Sequence, residues 1–186
     1  VVIGAGPAGA VAARELARLG RMVLLVDKAA FPREKVCGCC VNAAAHQTLE
    51  EIGLGNLPGE LDAVLTQQFQ LCTPKGRLCI GVPAGFSVSR RRFDAALVHH
   101  AIRAGVTFMP ATQATLHGEQ ANAPWRHVRL KGDHIDQPMA ARLVLAADGL
   151  AGRLVQSEPG LAPIVARRGR FGVSATLDGQ SCSFEP

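Results

Sequence analysis

Short apolar runs at residues 1–3 and 22–26 begin the hydrophobic pattern of this chain. Both runs are rich in β-branched side chains, which is typical of strands buried on both faces. Between them, Ala13 lies four residues after Gly9, a helical spacing, and Gly20 is a typical residue at the end of a helix. The pattern therefore predicts a strand, a helix and a second strand parallel to the first.

Helical patterns return further along the chain. Phe93, Leu97 and Ala101 recur every four residues, which places them on one apolar face of a helix. Gly105 follows as the residue that ends this helix. Helices are predicted at 41–52, 93–104 and 151–156.

The remaining apolar segments predict strands. They lie at 61–72, 77–82, 86–89, 106–108, 114–116, 127–130, 143–147 and 170–177. A turn at 73–76 joins the first two, and Pro83-Ala84-Gly85 is expected to break the chain after them. The strands at 114–116 and 127–130 are expected to be antiparallel, and the run at 143–147 to be buried.

Three glycines form a G-x-G-x-x-G turn between the first strand and the first helix. Gly4 permits the tight turn, Gly6 lets the backbone approach a pyrophosphate, and Gly9 lets the helix pack closely against the strand. Pro7 suits the first helical turn because its missing N–H has no role there, and Ala8 follows it. The free N–H groups and the positive dipole end of this helix favour a diphosphate. The turn predicts a dinucleotide site.

Asp27 stands at the end of the second strand. A carboxylate at this position can accept hydrogen bonds from both hydroxyls of an adenosine ribose. Residues 28–38 then form a polar loop that leaves the carboxyl edge of the sheet, where ligands bind in doubly wound folds. Asp27 and the following Lys28 are therefore candidate ligand-binding residues.

Composition limits the class of partner. The 186 residues are 48% hydrophobic and 19% charged, which is typical of a soluble globular core. The net charge of +5 comes mainly from arginine, but one Trp and no Tyr argue against a stacking surface for nucleic acid. Because no apolar run approaches the ~18–20 residues of a membrane span, only peripheral contact with a membrane stays open.

Six cysteines are spread over the chain, three of them in Cys37-Gly38-Cys39-Cys40. Secreted disulfide scaffolds are small and dense in cysteine, and this chain is neither, so we expect reduced thiols in the cytoplasm. A zinc site usually needs a second pair of ligands at matching spacing, and none follows. We therefore predict no metal.

Four segments of the sequence form a recognisable set. They are Gly4-Ala5-Gly6-Pro7-Ala8-Gly9 with Asp27, Phe31-Pro32-Arg33-x-Lys35-x-Cys37-Gly38, Arg90-x-x-Phe93-Asp94-x-x-Leu97, and Ala147-Asp148-Gly149. Together they resemble a superfamily of FAD-dependent oxidoreductases, which contains para-hydroxybenzoate hydroxylase-like monooxygenases, geranylgeranyl reductases and flavin-dependent halogenases. The resemblance runs from residue 1 to about residue 155, and the Lys-x-Cys-Gly pattern favours the geranylgeranyl-reductase-like branch.

The resemblance implies FAD as cofactor and assigns residues to it. Arg33 would supply a cation near the diphosphate or adenosine ribose, and Arg90 would reach the ribityl–phosphate region from the start of its helix. Asp148 and Gly149 would lie beside the pyrophosphate, although Gly152 replaces the small hydroxyl residue that is usual nearby. An arginine fork suits phosphate better than a lysine.

Three further expectations concern the neighbours of these residues. Cys37 and Gly38 would line the flavin or substrate side of the site. Asp94 is expected to cap or brace the first turn of its helix rather than contact a ligand. His46, which lies on a predicted helix, is interpreted as a packing or surface residue, and no catalytic acid or base is assigned.

The predicted fold class is α/β, an FAD-binding Rossmann-like parallel sheet with an antiparallel β-meander, plus a partial antiparallel substrate domain. The FAD-binding domain would comprise 1–60 and 87–160, and the partial substrate domain 61–86 and 161–186. We expect the chain to be a piece of a longer protein, since the later part of the family pattern is not present.

The predicted function is an FAD-dependent oxidoreductase, a monooxygenase or a double-bond reductase, acting on a hydrophobic small molecule. NAD(P)H is the expected reductant. Two alternatives stay open: a nicotinamide-dependent dehydrogenase with Asp27 on the NAD ribose, and a non-catalytic flavin-binding module.

Overall fold

The computed structural model describes residues 1–37, 39–117, 124–150 and 152–156, together with residues 161, 164, 169, 172 and 173. Strand β1 (Val2–Ile3), helix α1 (Pro7–Arg18) and strand β2 (Leu24–Val26) come first. They form the predicted βαβ unit, and β1 pairs with β2 in parallel. The left-handed backbone of Gly20 (φ 73°) follows α1, as its position after the helix predicted.

The other described elements follow in chain order: β3 (Cys40–Val41), α2 (Ala43–Glu51), α3 (Leu57–Glu60), β4 (Val64–Thr73), β5 (Gly76–Ser87), α4 (Arg90–Arg103), β6 (Thr107–Met109), β7 (Gln113–His117), β8 (Arg126–Gly132), β9 (Ile135–Ala141), β10 (Leu145–Ala146) and α5 (Arg153–Gln156).

A four-stranded parallel sheet with the strand order β10-β1-β2-β6 lies between two layers. On one face, α1 and α4 pack together over a buried apolar cluster that includes Ala13, Leu25 and Leu97. On the other face, Ile3 and other sheet residues join a second cluster with Val128 of the meander. The predicted α/β class, a parallel sheet with an antiparallel meander, is confirmed.

The meander contains one strand more than the sequence predicts. Strands β7, β8 and β9 pair antiparallel in that order, so β9 is an edge strand. Pro138 lies within β9 opposite Arg129. Proline is tolerated on an edge strand because its missing N–H is not needed on the outer side, but its presence hides the strand from sequence patterns.

A third sheet, with the order β3-β5-β4, carries a long hairpin formed by β4 and β5. The predicted break at Pro83-Ala84-Gly85 is wrong, because β5 continues through it to Ser87. Thr66 pairs with Gly85 and Gln68 with Gly81, so residues 82–84 form a bulge opposite one residue of β4. The bulge accommodates the proline without ending the strand.

Other expectations need smaller corrections. The run at 143–147 is not buried: β10 is an edge strand, and Leu143 is 56% exposed. Val41 belongs to β3 rather than to the helix predicted at 41–52, and α3 was not predicted. Most of the strand at 170–177 and most of the domain piece 161–186 lie outside the described residues. Within the described residues, no helix is long and apolar enough to cross a membrane.

Candidate dinucleotide site

The glycine turn, residues 4–9, connects β1 to α1 at the carboxyl edge of the parallel sheet. Gly4 adopts a left-handed φ of 103°, and a Cβ there would overlap the carbonyl of Ala147. A Cβ on Gly9 would overlap the carbonyl of Gly4 itself. Glycine is therefore required at both positions, for the conformation at Gly4 and for close packing at Gly9.

The first turn of α1 presents backbone donors. Gly6 is the N-cap residue in an extended conformation and makes no side-chain cap hydrogen bond, and Pro7 is the first helical residue. Because proline has no N–H, the first-turn donors are those of Ala8 and Gly9, and Ala8 is exposed. Uncapped N–H groups at the positive end of a helix dipole form an anion site.

Asp27 is 92% buried at the end of β2 and holds the glycine turn in place. Its Oδ2 accepts a hydrogen bond from the N–H of Ala5 at 2.8 Å, and its Oδ1 accepts from the N–H of Ala29 at 2.9 Å. Both oxygens thus have backbone partners, although each carboxylate oxygen has a second lone pair. The contact of Asp27 with a ribose stays a prediction, while its role in fixing the turn is visible in the structure.

Arg33 and Arg90, the arginine pair, meet at one buried carboxylate. Asp94 is fully buried and accepts hydrogen bonds from Nε and Nη2 of Arg90, at 2.8 and 2.9 Å. Nη2 of Arg33 lies 3.3 Å from Oδ2 of Asp94 and 3.7 Å from Oδ2 of Asp27. The hydrogen bonds that Arg90 donates to Asp94 hold the pKa of Arg90 above its ordinary value, and the contact with the side chain of Cys37 acts in the same direction.

The arginine pair reaches the glycine turn. A Cβ built on Gly6 would lie 3.6 Å from Nη2 of Arg33 and 3.9 Å from Nη2 of Arg90. Nε of Arg33 is buried and has no hydrogen-bond acceptor among the described residues. A buried N–H without a partner is costly, which indicates that an acceptor belongs beside it. The residues present therefore fit the diphosphate of a dinucleotide.

The other predicted site residues lie around this centre. Lys28 is exposed and lines an open cavity of about 600 Å³ together with Gln113 and Lys131. Cys37 is half-buried against Arg90, and Gly38 lies outside the described residues. The cavity extends from the end of β2 to the meander, on the side of the predicted ribose.

Asp148 approaches the glycine turn with its backbone. Its N–H nitrogen would lie 2.9 Å from a Cβ on Gly4, whereas its Oδ2 accepts a hydrogen bond from the N–H of Leu154 at 2.9 Å. The carboxylate thus stabilises the start of α5. Gly149 follows with a left-handed φ of 85° and is exposed. The predicted contact of Asp148 with a pyrophosphate stays a prediction.

The sequence identifies Asp94 but not its full role. Ser89 caps α4, since its Oγ accepts a hydrogen bond from the N–H of Arg92 at 3.3 Å. Asp94 braces the first turn through Arg90 and, in addition, holds Arg33 from a different segment. The i, i+4 spacing of Arg90 and Asp94 could have indicated their ion pair, but the third member, Arg33, depends on the tertiary structure.

A parallel sheet with a β-meander, a glycine turn and two arginines at the turn define a dinucleotide-binding protein of the FAD type. Residues 1–172 match the family model described as FAD binding domain. The chain belongs to this family, which confirms the superfamily predicted from the four segments.

Curated relatives agree with this assignment. The chain is 53% identical to menaquinone reductase of Mycobacterium tuberculosis over 55 residues. This match covers 30% of this chain and 14% of the relative. It is 31% identical to digeranylgeranylglycerophospholipid reductase 1 of Methanopyrus kandleri over 169 residues. This match covers 88% of this chain and 42% of the relative. The chain thus spans less than half the length of these relatives.

A solved structure shows the same fold. A geranylgeranyl bacteriochlorophyll reductase-like protein from Thermoplasma acidophilum superposes with a TM-score of 0.71 at 21% sequence identity. The superposition covers 89% of this chain and 43% of that one. At this identity the likeness establishes the arrangement of strands and helices.

Proposed function

We propose that this chain forms the FAD-binding part of a flavoprotein oxidoreductase. The arginine pair beside the uncapped start of α1 carries the proposal, because two guanidinium groups and two backbone N–H groups converge at Gly6. Arginine forks and helix N-termini are both suited to phosphate oxygens. The membership of the FAD binding domain family supports the same cofactor.

Each part of the site would hold a different part of FAD. The N–H groups of Ala8 and Gly9 and the arginine pair would bind the diphosphate. Asp27 and Lys28 would lie on the adenosine side, next to the open cavity. Flavin, when bound, supplies hydride-transfer or oxygen-transfer chemistry, and the protein supplies its position and surroundings.

The proposed substrate is a hydrophobic small molecule, and the proposed reaction is reduction of a double bond in preference to oxygenation. The names of the relatives support this choice, since they describe reductases of menaquinone and of a digeranylgeranylglycerophospholipid. The Lys-x-Cys-Gly pattern at Cys37 points to the same branch. His46 supports no acid–base role, because its ring contacts the carbonyl of Gly55 at 3.2 Å and packs on Phe86.

The remaining parts of the proposal concern the reductant, the cellular location and the partners. NAD(P)H is the proposed reductant, and the proposed location is the cytoplasm, where the thiols of Cys37, Cys39, Cys72 and Cys79 would stay reduced. No nucleic acid is proposed as a partner.

The test is cofactor uptake by a purified longer protein that contains this chain. FAD should bind and its fluorescence should change on titration, whereas the Arg33→Met, Arg90→Met double variant should bind at least about tenfold more weakly, as expected when two charged hydrogen bonds are lost. Failure of the wild-type protein to take up FAD would contradict the proposal. Binding of NADH with no affinity for FAD would favour the nicotinamide-dependent alternative.

The non-catalytic alternative needs a separate measurement. In a longer protein that contains this chain, bound FAD should be reduced by NADH or NADPH and reoxidised by a quinone or a prenyl substrate. A protein that holds FAD but whose flavin no such pair turns over would be a binding module.

A further inference from the structure

We propose that Asp94 is a positioning residue for the diphosphate: it contacts no ligand, and it holds Arg33 and Arg90 in the orientation that binds phosphate. This inference rests on the proposed FAD function and adds a residue that the cofactor itself does not touch. The observation behind it is the burial of a single carboxylate between two guanidinium groups from different segments.

The first step is the burial of Asp94. Its side chain has no exposed surface, so its charge is removed from water and must be compensated within the protein. Arg90 provides two hydrogen bonds, at 2.8 and 2.9 Å, and Arg33 a third close contact at 3.3 Å. These contacts hold the carboxylate of Asp94 in place and, equally, hold the two guanidinium groups in place.

The second step is the electrostatic balance. The two guanidinium cations face two carboxylates, those of Asp94 and Asp27, so the four side chains are neutral together. Net positive charge therefore does not distinguish this group of side chains as an anion site. What distinguishes it is the placement of the two guanidinium groups at the glycine turn, where a Cβ on Gly6 would lie 3.6 Å from Nη2 of Arg33 and 3.9 Å from Nη2 of Arg90. In addition, Nε of Arg33 has no acceptor in the described part of the chain.

The third step is the origin of the three side chains. Arg33 lies in the loop after β2, while Arg90 and Asp94 lie on the first turns of α4. Phe31 supports Arg33 from one side, with the guanidinium carbon 5.2 Å from the ring centroid. Asp94 is thus the contact through which the loop and the helix present both guanidinium groups to the same turn.

The test compares ligands with and without a diphosphate on the same protein. The Asp94→Asn variant keeps the size of the side chain but places an amide N–H₂ against guanidinium donors. We expect the longer protein carrying it to bind ADP and FAD at least about tenfold more weakly than wild type, the result of losing charge-assisted hydrogen bonds. Binding of adenosine, followed by ligand-observed NMR, should stay unchanged.

A matched control keeps the chemistry of the substitution constant. Asp136→Asn also removes a carboxylate that accepts from an arginine Nε, that of Arg129 at 2.7 Å, but this pair is exposed on the meander. It should leave the affinity for ADP unchanged. In the Arg33→Met, Arg90→Met background, Asp94→Asn should have little further effect on ADP binding, because its partners are already absent.

Each outcome decides between the alternatives. Unchanged or tighter ADP binding by the Asp94→Asn variant would overturn the inference, and so would equal losses for ADP and adenosine, which indicate general structural damage. A wild-type protein that binds neither ADP nor FAD would contradict the proposed function itself and the inference with it.

A measurement on the wild-type protein covers the case in which the variant fails to fold. Addition of ADP should shift the NMR resonance of Arg33 Nε–H, because a phosphate beside this guanidinium group changes the surroundings of that proton, and should leave that of Arg129 Nε–H in place. ADP binding without a change at Arg33 would overturn the inference.

Discussion

The glycine turn and the β4–β5 hairpin differ in which side chains are buried: the turn buries charged residues, and the hairpin leaves apolar residues exposed. Around the turn, the charges of Asp27, Arg33 and Asp94 compensate one another, and each of these side chains is at most 13% exposed. On the hairpin, Phe69 and Leu71 stand opposite Ile80 and Leu78 on one face, and each of these side chains is 47–55% exposed. The buried charges at the turn are paired with one another, whereas the apolar face of the hairpin has no cover within the described residues.

The comparison shows that apolar alternation by itself does not locate the core. The outer part of the hairpin alternates apolar and polar residues as well as any strand, yet its apolar face is exposed. The strands at the turn are shorter but are covered by helices on one face and by the meander on the other. Substitutions at the turn should therefore change the free energy of unfolding more than comparable substitutions on the hairpin.

The largest effect is expected from Gly4→Ala. A left-handed φ strains alanine by about 1–3 kcal/mol, and the overlap with the Ala147 carbonyl adds about 1–3 kcal/mol as overpacking. Denaturant unfolding should show a loss of roughly 2–6 kcal/mol by this addition. Gly81→Ala on the hairpin, where a Cβ meets nothing within 4 Å, should change stability by less than about 0.5 kcal/mol. Equal losses would remove the distinction between the regions.

A matched pair of leucine truncations tests the apolar side of the comparison. Leu97 in α4 is 1% exposed, so Leu97→Ala should reduce the free energy of unfolding by about 2–5 kcal/mol. Leu71 in β4 is 48% exposed, and Leu71→Ala should cost less than about 1 kcal/mol because little surface is removed from water. A larger loss from Leu71→Ala would indicate that the hairpin face is covered in solution.

Asp27→Ala examines the polar side of the turn. FAD binding should weaken by roughly 1–3 kcal/mol, because the N–H groups of Ala5 and Ala29 lose their acceptor and the turn is no longer held. Titration of FAD into the variant measures the change, with Asp136→Ala as control. An unchanged dissociation constant would exclude Asp27 from any role in the site.

The smallest effect is expected at the exposed pair of Arg129 and Asp136. The hydrogen bond from Arg129 lowers the pKa of Asp136, so any stability it contributes is present above the unfolded pKa and is lost as the pH falls through the folded one. Arg129→Ala should raise the pKa of Asp136 toward its ordinary value in an NMR titration, while Lys131 continues to lower it. Because the pair is exposed, the unfolding midpoint should not move measurably, and a clear shift would show that surface pairs matter here.

Much of the fold follows from local signals. The βαβ unit, the glycine turn, the helix at 93–104 and the antiparallel pair of the meander are each specified by residues within one short segment, and the structure contains all of them. The signals fail at two prolines, because a proline normally predicts the end of a strand. Pro83 in a bulge and Pro138 on an edge strand both lie within strands.

The sequence predicts which residues belong to the candidate site better than it predicts which of them contact one another. Gly6, Asp27, Arg33 and Arg90 lie close together, while their contacts with a dinucleotide stay predictions. The shared carboxylate of Asp94 could not be found, because its contact with Arg33 joins a loop to a helix across 61 positions of the chain and has no periodic signal.

The contact between Gly4 and Ala147 has a consequence for biosynthesis. β1 pairs with β2 on one side and with β10 on the other, where the N–H of Ala147 donates to the carbonyl of Ile3 at 2.8 Å. At ribosomal rates of about 5–20 residues per second, the segment around residue 147 follows the glycine turn by roughly 7–29 s. During that interval one edge of β1 lacks its β10 partner, so the backbone groups on that edge cannot form their native ladder until β10 emerges.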